Sequence, residues 1–261
     1  MPEANWGATT VLDADILRSI NKAGRSLAEL RASAVSGEVD LDKMTVGEWD
    51  PIIRECDLIE RWRAQHAGPL RNANANLRHY IRPYSSPSAT VVSVTQRLKK
   101  FSTILDKLHR YPTMRLTTME DIGGVRAVLP AQTEVDEVAR KLRKNWKVHR
   151  YRDYVRAPKN SGYRALHLIV VKQGMKIEVQ LRTYLQDFWA NQVERDSRSL
   201  RTDYKSGKGH DEVHAYYVAM SQLLAMTEAS REPSQDFSAE LRRRYMLAKP
   251  YLVAQADEEK S

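Results

Sequence analysis

A mixed α+β fold, with a central sheet of about five strands flanked by helices, is what this sequence predicts, and three observations predict it. Short apolar runs of strand length crowd the middle of the chain, about 121–183. Both outer thirds carry apolar residues near helical spacing. Third, KIEVQLRT (176–183) alternates without a slip. In an extended strand Ile177, Val179 and Leu181 face one side and Glu178, Gln180 and Arg182 the other. One side is core. A solvent-facing row is the ordinary explanation for the other.

Taken in order, helices are expected at 11–35 and 49–80, the second interrupted at Gly68-Pro69. PYSSPS (83–88) breaks the pattern, and an amphipathic helix follows at 91–109, stopped by Tyr111-Pro112. Strands are expected at 125–129, 151–155, 166–171 and 177–181, with a helix at 134–146. Helices return at 184–203, 210–229 and 238–254, and the tail ADEEKS is expected to be loose. The divisions are a helical N-terminal region 1–90, a core 91–205 and C-terminal helices 206–261, in one compact unit.

With 261 residues and 42% hydrophobic content, the chain can close a sizeable core. Its longest apolar runs, such as LHLIVV (166–171), are too short to cross a bilayer, and no Lys/Arg-led signal segment opens the sequence. The single cysteine, Cys56, excludes an internal disulfide and a Cys-rich metal site, so a cytoplasmic protein is expected. A formal net charge of +9 favours phosphate-bearing partners, nucleotides or nucleic acid alike.

DIGGVRAVL (121–129) supplies a second acid, Asp121, at the entrance to a strand, with Gly123 and Gly124 behind it and Arg126 beyond. The glycines let backbone approach something closely. If this strand neighbours KIEVQLRT, Asp121 and Glu178 can share a divalent cation; unrelated surface acids are the alternative. RAPKNSGYRALH (156–167) adds a turn-rich loop with Lys159 as a phosphate-binding charge. Tyr163 either caps the core or stacks on a base, and His167 reads as a hydrogen-bonded, half-buried residue. RLKKFSTILDKL (97–108) alone is a solvated charge run. HDEVH (210–214) lacks the glutamate position of a zincin, and SGKG lacks P-loop spacing.

Together the segments resemble one family. Arg97-x-Lys99-x-x-x-Thr103-Ile104, Asp121-Ile122-Gly123-Gly124-Val125-Arg126, Gly162-Tyr163-Arg164-Ala165-Leu166-His167 and Glu178-Val179-Gln180-Leu181-Arg182-Thr183 occur in the order seen in RelA/SpoT-like pyrophosphokinases, the alarmone synthetases. LQDFWANQVERD (185–196) and YKSGKG (204–209) are similar to the toxic small alarmone synthetases, while Thr103, Ala165 and Asp187 depart from the usual serine, serine and histidine.

The resemblance implies a nucleotidyltransferase-like synthetase fold and transfer of the β,γ-pyrophosphate of ATP to a ribose 3′-hydroxyl, releasing AMP; because His210-Asp211 stands alone and after the synthetase motifs, no hydrolase domain and no zinc are expected. It assigns Mg²⁺ to Asp121 and Glu178, with Glu178 also taking the hydroxyl proton. Arg97 and Arg126 would bracket adenine, and Lys99, Lys107 and Lys159 would neutralise phosphates. Tyr163, His167, Gln180 and Arg182 would serve the acceptor. The toxic branch implies the 3′ adenosine of tRNA as acceptor and a neutralising antitoxin. GDP, GTP or adenosine nucleotides giving (p)ppGpp or (p)ppApp are the alternative, and a non-catalytic RNA-binding protein is the alternative of another class. Arg18, Lys22, Arg25 and Arg31 are the N-terminal cations offered to an RNA backbone.

Overall fold

The computed structural model describes residues 13–84, 93–200, 202, 204 and 209–253. The expected tail, most of YKSGKG and the boundaries at 90/91 and 205/206 lie outside them.

Helix α1 (Ala14–Ser36) starts on the Asp13 side chain and ends at Gly37 in the left-handed region, a common helix stop. Helix α2 (Val46–Ala64) opens with a Thr45/Glu48 capping box. Helix α3 (Ala67–Ile81) follows at once. The interruption therefore falls at Gln65-His66 and not at Gly68-Pro69, because a proline in the first turn gives up only an N–H with no helical partner.

The expected helix at 91–109 is wrong in its first half. Ser93–Leu98 is strand β1, and only Phe101–Arg110 is helix, α4. SVTQRL is rich in β-branched residues and alternates Val94, Gln96 and Leu98 against polar neighbours, a pattern of two overridden by the longer helical reading. Strand β2 (Gly123–Leu129), helix α5 (Gln132–Asn145), strand β4 (Leu166–Lys172) and strand β5 (Met175–Thr183) lie where the patterning put them. Strand β3 is Val148–Asp153, a few residues earlier than expected. Helices α6 (Tyr184–Ser199), α7 (Asp211–Glu228) and α8 (Gln235–Val253) close the chain.

The sheet order is β1-β2-β5-β4-β3. β2 and β5 are parallel at its centre, and every other pair is antiparallel. On one face Val125, Ala127, Leu129, Leu166, Leu168, Val170, Ile177, Val179 and Leu181 pack with α3 and α5 into the main core. A second apolar cluster joins α1, α2 and α4, and a third joins α6, α7 and α8 to Tyr163 and Ala165. The opposite face carries Arg126, His167, Glu178, Gln180 and Arg182 alongside the buried Val128 and Ile169.

Candidate active site

Register puts the polar side chains on one surface. Gly124 pairs with Glu178 and Arg126 with Gln180 across the parallel strands; Arg97 pairs with Gly124, and His167 with Gln180. The two glycines do different work. A Cβ on Gly123 would stand 2.8 Å from Ile177 Cδ1 on the packed side. One on Gly124 would project over the polar face, nearest the Glu178 carbonyl oxygen at 4.0 Å. Gly124 thus keeps clear a cleft of about 260 Å³ lined by Arg97, Lys99, Asp121, Arg126, Glu178 and Gln180.

Asp121 stands just before β2, where the Lys99 N–H donates to the Ile122 carbonyl and draws the two side chains together. Lys99 Nζ lies 3.0 Å from Asp121 Oδ2, and Lys107 Nζ, from α4, lies 2.8 Å from the same oxygen. Burial alone would raise the Asp121 carboxyl, but the two lysines outweigh it and hold it below the ordinary range. Glu178 follows the same logic. Burial opposes its charge, yet hydrogen bonds from His167 Nδ1 at 2.8 Å and Gln180 Nε2 at 2.7 Å bring it down to about 2. Asp121 and Glu178 are both carboxylates at neutral pH. Among the described residues no three metal-binding side chains cluster. Two ionised carboxylates suit a hard cation that takes its remaining ligands from phosphate and water, as Mg²⁺ does.

Two expected acceptor residues are not at the surface of the cleft. Tyr163 is 1% exposed, edge-on to Tyr154 and His167 and beside Trp189, so neither ring face is open to a base. Arg182 is fully buried, held by Asp187, Tyr163 and Gln180, and acts behind the cleft. The core-capping reading of Tyr163 is the one the packing bears out, because Gly162 (φ +88°) turns the chain against α7, where Ser221 Oγ donates to its carbonyl at 2.5 Å. Lys159 is exposed on this loop, its ammonium over the Tyr154 and Tyr163 rings and outside the cleft lining.

Sequence reading missed the fourth wall. Asn191, Glu194 and Arg198 line the cleft from α6, at a helical i, i+3, i+7 spacing that was available in LQDFWANQVERD and its continuation. It also missed Asp187, which accepts from Arg126 and Arg182 together and from Asn191. The departure from histidine at this position was the available signal. Of the N-terminal cations, Arg25 caps α4 by donating to the Leu108, Pro112 and Met114 carbonyls, Arg31 pairs with Asp106, and Arg18 pairs with Asp15. His210 stacks on Tyr251 at 4.0 Å.

Residues 96–207 match the family model described as "Region found in RelA / SpoT proteins". The GTP pyrophosphokinase YjbM of Bacillus subtilis is 33% identical over 119 residues, 41% of this chain and 56% of that one. An uncharacterized protein of Mycobacterium tuberculosis is 34% identical over 163 residues, 59% of this chain and 55% of its own. The chain thus spans just over half the length of these curated relatives. The crystal structure of small alarmone synthetase 2 from B. subtilis shares the fold, with a TM-score of 0.55 at 21% identity, over 66% of this chain and 94% of that one. Residues 96–207 thus carry the RelA/SpoT region, and the chain shares the fold of a small alarmone synthetase.

Proposed function

We propose that this protein is an ATP pyrophosphokinase that transfers the β,γ-pyrophosphate of ATP to a ribose 3′-hydroxyl. The observation that carries the reading is the pairing of two ionised carboxylates, Asp121 and Glu178, with Lys99, Arg97 and Arg126 in one cleft, and with Lys107 bound to Asp121 beside it. Relatives named GTP pyrophosphokinase support it. A bound Mg²⁺ held by Asp121 and Glu178 would neutralise the ATP phosphates and align them for in-line attack.

The chain's own groups do the rest. Arg97 and Arg126 are diagonal neighbours on β1 and β2, and diagonal spacing of about 7–8 Å suits a purine held between two guanidinium planes. Lys99 and Lys107 contact the phosphates. Glu178 orients the attacking O–H and takes its proton as the bond from the ribose oxygen to the β-phosphorus forms and the α,β-bridging P–O bond breaks, releasing AMP. A weakly basic carboxylate suffices, because this chemistry depends mainly on position and charge. The two ionised acids speak against a decayed, merely RNA-binding protein.

For the acceptor, the names of the relatives favour a guanosine nucleotide and a (p)ppGpp product. A second reading, the 3′ adenosine of tRNA, is favoured by one observation. From Arg140 to Arg152 the chain carries seven Lys/Arg and no acid, and Arg140, Arg143, Lys144, Lys147, Arg150 and Arg152 are exposed. A translation-blocking toxin with a neutralising antitoxin follows only from that second reading, and (p)ppApp is the remaining product of an adenosine acceptor. The test supplies γ-labelled ATP and Mg²⁺ with GDP, GTP, AMP or deacylated tRNA and asks which gains label. Glu178→Gln should keep the fold and lose transfer by more than about 100-fold; a folded, fully active variant rejects the assignment.

A further inference from the structure

Behind the cleft, four side chains form one hydrogen-bonded row whose direction is fixed at both ends. Arg182 Nη2 lies 2.7 Å from Tyr163 Oη, Tyr163 Oη lies 2.7 Å from His167 Nε2, and His167 Nδ1 lies 2.8 Å from Glu178 Oε1. A guanidinium has no acceptor, so Arg182 donates to the tyrosine. An ionised carboxylate has no proton, so His167 donates to Glu178 through Nδ1. A neutral imidazole that donates through one nitrogen accepts through the other, and what faces Nε2 is the tyrosine hydroxyl. Each proton in the row therefore points toward Glu178.

We propose that Tyr163 and His167 are positioning residues for pyrophosphate transfer: the buried tyrosine holds the imidazole in its Nδ1–H tautomer, and that N–H fixes the orientation of the Glu178 carboxylate. The proposal rests on the reading that Glu178 acts on the acceptor hydroxyl. Gln180 secures the other oxygen, Oε2, so the carboxylate cannot rotate without breaking two bonds, and its remaining lone pairs stay aimed at the cleft. The far end is equally fixed, since Arg182 is also bound to Asp187 and Gln180. An unconstrained imidazole prefers the Nε2–H form, so the row has a signature that simple packing would not produce.

The tautomer is read from long-range ¹H–¹⁵N spectra of ¹⁵N-histidine-labelled protein, with His167→Asn identifying the signal. The wild-type ring should show the Nδ1–H pattern, and Tyr163→Phe should abolish it. In transfer assays Tyr163→Phe should lower kcat by about 10–100-fold with KM for ATP nearly unchanged. Asparagine places an amide N–H where Nδ1–H was and needs no tyrosine to orient it. His167→Asn should therefore retain part of the activity, and adding Tyr163→Phe to it should cost little more. Thermal melts establish that each variant is folded. An Nε2–H or doubly protonated ring in the wild type overturns the proposal, as do multiplicative losses in the double variant or a change confined to KM. If the wild type labels no acceptor, the functional reading fails, while the tautomer still decides the row independently.

Discussion

Lys107 reaches Asp121 with its ammonium and also lowers the charge cost of Glu178, so one cation from α4 serves both acids. Lys107→Met should raise KM for ATP about tenfold or more, measured by titrating ATP in the label-transfer assay, and should lift the Asp121 carboxyl toward its ordinary range. His66 makes a different prediction. Burial between α2 and α3 lowers its pKa from 6.5 to about 4 although its Nδ1 faces the Trp62 carbonyl at 3.1 Å. The unfolded chain binds the proton first, so this contribution to stability is complete above about pH 6.5 and is lost as pH falls toward 4, by about 3 kcal/mol at the lower end. Urea midpoints across that window should fall less steeply in His66→Phe than in the wild type. At this scale the sequence singled out Asp121 and Glu178, which the structure brings into one cleft. It was silent about the burial of Tyr163 and Arg182, because local pattern cannot report which helices later cover a loop.

Elements with a clear signal were legible: α1 and α5 bury one face at helical spacing, and β4 and β5 hold apolar residues in segments of strand length. β1 was not, because as an outer strand with Thr95, Gln96 and Arg97 exposed it buries only Val94, and a charged run continuing into α4 mimics one long helix. The loop before β4 depends on α7 for its shape. A Cβ on Gly162 would meet Ser221 Cβ at 3.0 Å, the Val218 Cα at 3.2 Å and the Tyr217 carbonyl oxygen at 3.3 Å, at a φ that side chains rarely adopt. Gly162→Ala should therefore cost about 1–3 kcal/mol in denaturant melts and lower kcat along with stability, since the same contact seats Tyr163.

Across the whole molecule, three apolar clusters meet around one sheet, and the third ties the C-terminal helices to the loop and strand that support Glu178. No described helix is long and apolar enough to cross a membrane. Charge separates the two acceptor readings at this scale. Label transfer to tRNA should weaken steeply between 50 and 200 mM salt, roughly as a high power of concentration, whereas transfer to GDP should change only several-fold. A shallow slope for tRNA would dissociate the exposed cations of α5 and β3 from RNA binding. The parallel contact between β2 and β5 carries one more implication. Its partners, such as Gly124 and Glu178, are far apart in the chain and meet only after α5, β3 and β4 have been laid down between them. Such distant pairing is slow to form. During synthesis the two acids cannot share a cleft until β5 has left the ribosome, so a nascent chain stays chemically silent through most of its translation.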